Sequence, residues 1–390
     1  MARIVQCANF VTPTSGGLRT TLRHLAEGYA AAGHEVVQVV PGRRDRQEQT
    51  PWGRLVQVRA PAVPSTGYRV VAEPWRLAGL LERLAPDRLE VHDRLTLRGL
   101  GSWARRRGVP SLVVSHERLD RVLAQWLPGR LPLTVVADRS NRRLAASFDR
   151  VVCTTDWAAE EFWRLGTHNL VRVPLGVDLV RFDPGARTDA MRAALAPDTA
   201  ALLLSATRLS REKAPWLLVE AVRELVRRGV PVRLALAGDG PQRRVLAAAA
   251  VGLPVRFLGF VAGRDRLAEL LASADVVLAP GPVETFGLAA LESLASGTPV
   301  VVNAASALPG VVGTAGIAAA GTAVSFADGV QALLARPAEV RREQARARAE
   351  GFPWSAAVDG LLAVHGLTTA AKAALPAADA ADPLAERRAA

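Results

Sequence analysis

The sequence contains only two cysteines, Cys7 and Cys153, among its 390 residues. Each lies within an apolar, strand-like run, and two such residues provide neither a disulfide framework nor a zinc site. We therefore expect both side chains to be buried and the protein to reside in a reducing compartment. Long apolar segments are also absent, because no run approaches the roughly 20 residues needed to cross a bilayer. The sequence therefore argues against an integral membrane protein.

The N-terminus does not have the pattern of a secretion signal. It carries no basic region followed by a long apolar stretch, and Ile4–Phe10 has the composition of a buried strand. These features predict a cytoplasmic protein.

Three sequence patterns that mark cofactor sites are also missing. No Asp-x-Asp follows a predicted strand, the dinucleotide fingerprint Gly-x-Gly-x-x-Gly is incomplete at Gly238–Gly240, and no Walker sequence is present. We therefore expect the protein to work without a metal ion or any other cofactor.

The formal net charge is +12, from 49 basic and 37 acidic residues, and arginine supplies nearly all of the positive charge. Such a charge attracts anionic partners, which include nucleic acid, an anionic membrane surface and an anionic nucleotide-sugar or acceptor. Nucleic acid is disfavoured because no helix-turn-helix, zinc-knuckle or aromatic RNA-binding motif accompanies the charge. A solvated, arginine-rich surface without a specific partner is the alternative.

Strand-like and helix-like segments alternate along the chain, which is typical of parallel sheets covered by helices on both faces. At this length we expect two domains of roughly 150 to 200 residues each. In the first, residues 1–173, the amphipathic segment Leu18–Ala32 predicts a helix that ends at Gly33. The predicted strands of this domain are Ile4–Phe10, Glu35–Val40, Leu55–Val58, Leu89–Val91, Leu112–Ser115 and Arg150–Cys153.

The second domain, residues 185–350, repeats this alternation. Pro174–Pro184 has the proline and glycine content of an interdomain connection. We expect residues 351–367 to form a helix that returns to the first domain, and residues 368–390 to be disordered because they contain few large apolar side chains. The predicted elements are strands Ala201–Ala206, Val232–Ala237, Val255–Leu258, Val276–Ala279 and Val300–Val302, and helices Ala214–Arg228, Arg264–Ala272 and Leu288–Ala295.

The strongest candidate site follows the predicted strand Val276–Ala279, since ligands of open parallel sheets bind at the carboxyl ends of the strands. There Glu284 precedes Gly287, and a helix that carries Glu292 begins. That helix has almost no polar face, so Glu292 should be buried and needs a partner. Ribose hydroxyls of a bound nucleotide would serve, and so would an arginine of a neighbouring helix. Glu284 is placed to contact a donor sugar or to pair with a cation.

The loop after the predicted strand Ala201–Ala206 is bracketed by Arg208 and Lys213. Two fixed cations beside a helix N-terminus would stabilise the negative charge of a leaving diphosphate without a metal ion. The alternative is that both side chains are solvated.

Two loops of the first domain complete the set. Gly16 and Gly17 follow the first strand, where paired glycines permit close approach of a phosphate or sugar, although glycine-rich turns are also common in strand-to-helix connections. His116 directly follows Leu112–Ser115. It would hold a sugar hydroxyl or orient an acceptor, and a purely structural histidine is the alternative.

Together these residues resemble glycosyltransferase family 4, whose members are retaining enzymes with the GT-B fold. The resemblance covers roughly residues 3–365. The positions that match the motifs of the family are Glu284 and Glu292 of its Glu-x7-Glu motif, Arg208 and Lys213 of its diphosphate site, Gly16-Gly17 of its N-terminal glycine loop, and His116 of its cleft.

The resemblance implies an α/β protein with two Rossmann-like, doubly wound domains facing a central cleft. The first domain would bind the acceptor and the second the nucleotide-sugar. In the implied mechanism the acceptor hydroxyl attacks on the face that the leaving phosphate vacates, and that phosphate takes the proton. The residues expected to act in catalysis are His116, Arg208, Lys213 and Glu284, and those expected to bind the donor are Gly16, Gly17, Phe286, Gly287, Leu288 and Glu292.

Within the family, runs such as Ser115–Asp120 and Pro280–Gly287 are similar to bacterial GDP-mannose-dependent α-mannosyltransferases acting on glycolipids. This narrower resemblance implies transfer of mannose from GDP-mannose to a glycolipid or another hydroxyl acceptor. Thr207, Ala214 and Thr285 replace residues that are common in the family, and a UDP-sugar is the alternative donor.

The segment Arg118–Leu133 mixes basic and large apolar residues. It fits a helix lying on an anionic bilayer at the inner face of the membrane, and equally an amphipathic helix packed on its own sheet. Two rival functions use the same features: a nucleotide-sugar epimerase or sugar phosphorylase, and a non-catalytic basic scaffold. A buried Glu292 argues against the scaffold.

Overall fold

The structure is a computed structural model that describes residues 1–11, 16–63, 67–126, 133–198 and 200–367. The predicted disordered tail, residues 368–390, lies outside the described residues, and so do residues 127–132 of the predicted amphipathic segment.

The described residues of the N-terminal half form an eight-stranded sheet in which, among these strands, only the edge strand β3 runs antiparallel to its neighbour. Its strands, in spatial order, are β3 (Arg46–Thr50), β4 (Gly53–Arg59), β2 (Glu35–Gly42), β1 (Arg3–Cys7), β5 (Arg88–Val91), β6 (Ser111–Ser115), β7 (Arg150–Cys153) and β8 (Leu170–Arg172). The helices between them are α1 (Gly17–Ala31), α2 (Pro74–Leu84), α3 (Gly99–Arg107), α4 (Leu119–Trp126), α5 (Leu133–Ser147) and α6 (Asp156–Trp163).

The C-terminal half forms a second sheet of six strands, all parallel. Its strands, in spatial order, are β11 (Val255–Gly259), β10 (Val232–Ala237), β9 (Ala201–Ala206), β12 (Val276–Ala279), β13 (Val300–Asn303) and β14 (Gly316–Ala319). The remaining helices are α7 (Asp189–Leu195), α8 (Trp216–Arg227), α9 (Arg243–Ala249), α10 (Arg264–Ser273), α11 (Leu288–Ala295), α12 (Leu308–Val312), α13 (Ala323–Leu334), α14 (Ala338–Glu350) and α15 (Trp354–Val364).

Both sheets are covered on both faces, as the alternating pattern predicts. Successive residues of a strand point to opposite faces, so Ile4 of β1 packs beneath α1 while Val5 packs in the core on the other face. The second sheet is enclosed in the same way, with Leu203 and Leu204 of β9 in different cores. The structure thus confirms two doubly wound α/β units.

The two cysteines are free and buried, as predicted. Burial raises the pKa of the Cys7 thiol to about 12 and has the same effect on Cys153. Both therefore remain protonated and unreactive at neutral pH.

Two predicted boundaries are wrong because of residues with left-handed backbone conformation. The first strand ends at Cys7 and does not extend to Phe10, since Phe10 has a φ of 59°. The helix expected to begin at Ala214 begins at Trp216, because Ala214 has a φ of 48°. Gly33 has a φ of 85° after α1, so the predicted glycine stop is confirmed.

Ala85 provides a test of such strain, because it ends α2 with φ 45° and ψ 63° and its side chain is exposed. We expect Ala85→Gly to raise the free energy of unfolding by roughly 1 kcal/mol, since the left-handed region disfavours residues with a Cβ. Ala32→Gly is the matched control, because exposed Ala32 ends α1 with a φ of −79° and should lose stability. Denaturant unfolding that shows equal losses in both variants would contradict the prediction.

The chain crosses between the two halves twice, and the crossings touch. The first lies within Pro174–Pro184 and the second precedes α15, and the N–H of Val177 donates to the carbonyl of Phe352 at 2.8 Å. A Cβ at Gly176 would lie 2.5 Å from the backbone nitrogen of Trp354, so only glycine permits this approach. Beyond the second crossing, α15 packs with α1 on the N-terminal sheet through Val358, Leu361 and Leu362.

Candidate active site

The carboxyl ends of the central strands of both sheets face one another across a cleft. Thr155, which follows β7, donates its hydroxyl to the carbonyl of Thr285 in the loop after β12, at 2.9 Å. A Cβ at Gly17 would lie 3.8 Å from Leu288, so the start of α1 also lies opposite the start of α11. The loops expected to carry the chemistry are therefore brought together.

Lys213 and Glu284, predicted from separate loops, form an ion pair. The Nζ of Lys213 donates to Oε1 of Glu284 at 2.6 Å, and the two side chains are 26% and 21% exposed. Lys213 ends a short 3-10 turn, Arg211–Lys213, that follows β9. Of the two roles considered for Glu284, the structure shows the pairing with a cation. Partial exposure leaves the ammonium group accessible to an anion.

Arg208 lies across the cleft from Tyr68, a residue that the sequence analysis missed. Its guanidinium donates to the Tyr68 hydroxyl and to Glu212, each at 3.0 Å. Tyr68 also contacts Phe10 edge to face at 5.8 Å. The indication that the sequence offered for Tyr68 was the rarity of tyrosine, which occurs only twice in the chain. Arg208 is 44% exposed and therefore remains open to a ligand.

Gly287 is required by the geometry at the start of α11. Its φ is 72°, and a Cβ there would lie 2.1 Å from the side chain of Leu308. Phe286 and Leu288 have their side chains in the hydrophobic core, so a contact with a donor would use their backbone. The first N–H groups of a helix have no acceptor within it, and they favour an anion.

Glu292 is buried, as the apolar helix predicts, with 4% of the residue exposed. Its Oε1 accepts a hydrogen bond from Arg264 of α10 at 2.8 Å, so the structure shows the arginine partner of the two that were considered. Burial raises the pKa of Glu292, and the positive charge of Arg264 opposes that increase. The guanidinium of Arg264 stacks on Phe182 at 4.8 Å.

Gly16 and Gly17 leave space at the N-terminus of α1. Gly16 has a φ of −79°, and a Cβ at this position would meet no atom of the described residues within 4 Å. Neither glycine is therefore needed by the packing of the part of the chain that the structure describes. The open space beside the cleft is consistent with the close approach of a ligand.

His116 lies at the cleft end of β6 and is supported from behind by two residues that the sequence analysis did not select. Its Nε2 lies 2.8 Å from Nδ1 of His92, and the Nε2 of His92 lies 2.6 Å from Oε1 of Glu90. Burial, followed by the neighbouring His92, lowers the pKa of His116 to about 3. The signal for these two residues was a carboxylate, Glu90, inside the short strand β5 and a histidine, His92, directly after it.

Comparison with known families agrees with this arrangement. Residues 16–176 match the family described as "Glycosyl transferase 4-like domain", and residues 200–336 match "Glycosyl transferases group 1". The chain is also 48% identical over 368 residues to a GDP-mannose-dependent alpha-(1-6)-phosphatidylinositol dimannoside mannosyltransferase of Mycobacterium tuberculosis, covering 93% of this chain and 96% of the relative. The chain therefore belongs to the glycosyltransferase family that these two descriptions cover.

The glycosyltransferase is also similar to a second curated enzyme and to a solved structure. It is 33% identical to a D-inositol 3-phosphate glycosyltransferase of Actinosynnema mirum, with 91% of this chain and 93% of the relative covered. The solved structure of sucrose-phosphate synthase from Thermosynechococcus elongatus superimposes with a TM-score of 0.78 at 22% identity, covering 94% of this chain and 98% of that one. At 22% identity this similarity shows a shared fold, and the predicted fold class is confirmed. The predicted family is confirmed by the family matches and the 48% identical relative.

The glycosyltransferase has no helix, within its described residues, that is long and apolar enough to cross a membrane. Val135 and Val136, at the start of α5, are 63% and 51% exposed.

Proposed function

We propose that this glycosyltransferase transfers mannose from GDP-mannose to a hydroxyl group of a mannosylated phosphatidylinositol, with retention of anomeric configuration. The observation that carries the proposal is the 48% identity, across 93% of the chain, to a mannosyltransferase named for that donor and a phosphatidylinositol dimannoside acceptor. The charges of the cleft fit the reaction, because exposed Arg208 and partly exposed Lys213 both lie in the loop that leads to the N-terminus of α8.

The chemistry needs stabilisation of the departing diphosphate. The acceptor oxygen forms a bond to the anomeric carbon, the bond from that carbon to the β-phosphate breaks with its electron pair, and the phosphate takes the hydroxyl proton. We propose that the charges of Lys213 and Arg208, which are partly exposed in the cleft, offset the negative charge that develops on the phosphate. We propose that no metal ion or other cofactor takes part.

The remaining cleft residues would hold the donor and orient its sugar. We propose that Glu292 accepts hydrogen bonds from the ribose while it remains paired with Arg264, and that Glu284 contacts the sugar beside Lys213. Gly16, Gly17 and the backbone of Phe286, Gly287 and Leu288 would line the diphosphate. His116 would contact a sugar hydroxyl from the opposite side of the cleft.

Nucleotide binding tests the donor assignment. We expect GDP to raise Tm more than UDP, ADP or dTDP, because only a nucleotide that binds the folded state shifts unfolding. At a hundredfold excess over Kd the stabilisation is about 2.7 kcal/mol, which should raise Tm by roughly 3 °C in a chain of this length. A larger shift with UDP would replace the donor, and no shift with any nucleotide would overturn the nucleotide-sugar assignment.

Product analysis tests the reaction itself. With GDP-mannose and phosphatidylinositol dimannoside, mass spectrometry should show an acceptor that has gained one hexose. Donor consumption in the absence of acceptor would favour an epimerase or phosphorylase instead.

We further propose that the α5 face, defined by Val135, Val136, Arg139, Arg142 and Arg143, contacts an anionic bilayer. These residues are exposed, whereas Leu119 and Arg118 near the start of α4 are packed against the protein. Exposed apolar side chains beside arginines suit the interface of an anionic membrane.

Flotation with vesicles of phosphatidylcholine, with and without phosphatidylglycerol, tests this contact. The wild-type protein should float with the anionic vesicles, and the Val135→Ser, Val136→Ser double variant should not. A Val245→Ser, Val251→Ser variant is the control, since it removes two valines of the second half that are even more exposed. No flotation of the wild type with either vesicle would remove the proposal.

A further inference from the structure

Behind His116, the carboxylate of Glu90 is completely buried and accepts four hydrogen bonds. Its Oε1 lies 2.7 Å from Nε2 of Gln6 and 2.6 Å from Nε2 of His92. Its Oε2 lies 2.8 Å from the hydroxyl of Tyr29 and 3.0 Å from Nε2 of His365. An ionised carboxylate offers about four lone-pair positions, and here all of them have a partner.

The ionised state of Glu90 determines where the protons of its partners lie. Burial by itself would raise the pKa of Glu90, but the hydrogen bonds from His365 and His92 outweigh this and hold the pKa well below its usual range. An ionised carboxylate only accepts hydrogen bonds, so the Nε2 atoms of His92 and His365 must both carry protons.

The proton of His92 in turn determines the tautomer of His116. A His92 ring that is protonated on Nε2 alone keeps a lone pair on Nδ1. The Nε2 of His116 is 2.8 Å from that Nδ1 and must then donate the hydrogen bond. His116 itself is neutral at physiological pH, because its pKa is about 3. Its other nitrogen, Nδ1, is left as a hydrogen-bond acceptor.

We propose that His92 and Glu90 are positioning residues of the glycosyltransferase, which fix His116 in the tautomer whose Nδ1 accepts a hydrogen bond from a substrate hydroxyl. This inference rests on the proposed function, in which His116 contacts a sugar. A hydroxyl of the donor sugar and one of the acceptor have the same chemistry, and the KM values of the two substrates distinguish them. Neither His92 nor Glu90 reaches the substrate in this arrangement.

Two substitutions of His92 separate its contact with His116 from its contact with Glu90. His92→Asn places an amide oxygen near the position of Nδ1, where it can accept from His116. His92→Gln places its amide near the position of Nε2, where it can donate to Glu90 but leaves His116 without its partner. Each variant loses one buried hydrogen bond, so their losses of stability should be similar. A difference in activity between them therefore reports on His116.

Histidine-selective ¹⁵N NMR of the full chain at pH 8 reads the tautomer directly, and the chain has only six histidines to assign. We expect the wild type and His92→Asn to show His116 protonated on Nε2 only, and His92→Gln to show a mixture of tautomers. The control is His168→Gln, which changes an exposed histidine outside the network and should alter nothing.

Kinetics of the same variants provide the second measurement. We expect kcat of His92→Gln to fall about tenfold, which is the effect of one net hydrogen bond, and His92→Asn to recover most of it. A rise in KM for GDP-mannose alone would assign the hydroxyl to the donor, and a rise for the acceptor alone would assign it to the acceptor.

Two results would overturn the inference: a wild-type His116 protonated on Nδ1, or equal tautomers and equal kcat in the two His92 variants. A wild-type protein that forms no mannosylated product would instead overturn the proposed function. The NMR comparison would still decide the positioning of His116 in that case.

Discussion

Lys213→Ala is expected to lower kcat by roughly 100-fold to 1000-fold, while KM for GDP-mannose rises only a few-fold. The ammonium group lies 2.6 Å from Glu284 and is partly exposed to the cleft. In the proposed mechanism its charge matters most when the diphosphate gains negative charge as the glycosidic bond breaks. Lys213 is one of only two lysines among 49 basic residues, which indicates a role that arginine does not fill.

Steady-state kinetics with GDP-mannose and phosphatidylinositol dimannoside would measure this effect. Arg211→Ala is the matched control, because Arg211 is an exposed cation in the same turn and should leave kcat within about twofold. Lys213→Arg should also be impaired, since a planar guanidinium does not replace a compact ammonium. An unchanged kcat in Lys213→Ala would rule out the catalytic role.

Glu161→Gln is expected to lower the free energy of unfolding by roughly 3–5 kcal/mol. Glu161 and Arg94 form an ion pair in which both side chains are almost completely buried. The substitution leaves the guanidinium enclosed without a counter-charge, although Ser115 still accepts from it at 2.8 Å. Glu161 also accepts from the N–H of Leu119 at 3.1 Å, so the loop that follows His116 should loosen.

Urea unfolding of the wild type and three variants would test this. The double variant Arg94→Met, Glu161→Leu should recover much of the loss, because it removes both buried charges. Glu82→Gln breaks the exposed pair with Arg107 and should have little effect, since solvent screens such pairs. A Glu161→Gln protein as stable as Glu82→Gln would contradict the prediction.

The strands that the sequence predicts best are those whose residues are buried on both faces. The bounds of β9, β10 and β12 agree with the prediction at both ends, because each is a mainly apolar run that is followed directly by Thr207, Gly238 or Pro280. The antiparallel strand β3 was missed, since its sequence Arg-Gln-Glu-Gln-Thr is polar and mostly exposed at the sheet edge. Its pairing depends on the adjacent β4, and a single-strand pattern carries no such information.

The candidate site could be predicted where a loop follows a strand, but its pairings could not. Lys213 and Glu284 were each recognised from their own loop, 71 residues apart, and the ion pair between them appears only in the fold. Tyr68 and His92 were missed for the same reason, because each contacts a site residue that is distant in sequence. Local sequence identifies the residues at the carboxyl edge of each sheet, whereas the packing of the two halves determines which of these residues contact one another.

The return of α15 to the N-terminal sheet determines which pieces of this enzyme can be exchanged. Val358, Leu361 and Leu362 cover apolar residues of β1, β6 and α1 that solvent would otherwise reach. A hybrid that joins the N-terminal half of one parent to the C-terminal half of another should therefore take its final helix from the parent that supplies the N-terminal half. A hybrid made with a single junction would instead take its final helix from the other parent. The apolar surfaces of that helix and of the N-terminal sheet would then not match, and the hybrid should be too poorly soluble for its specificity to be compared.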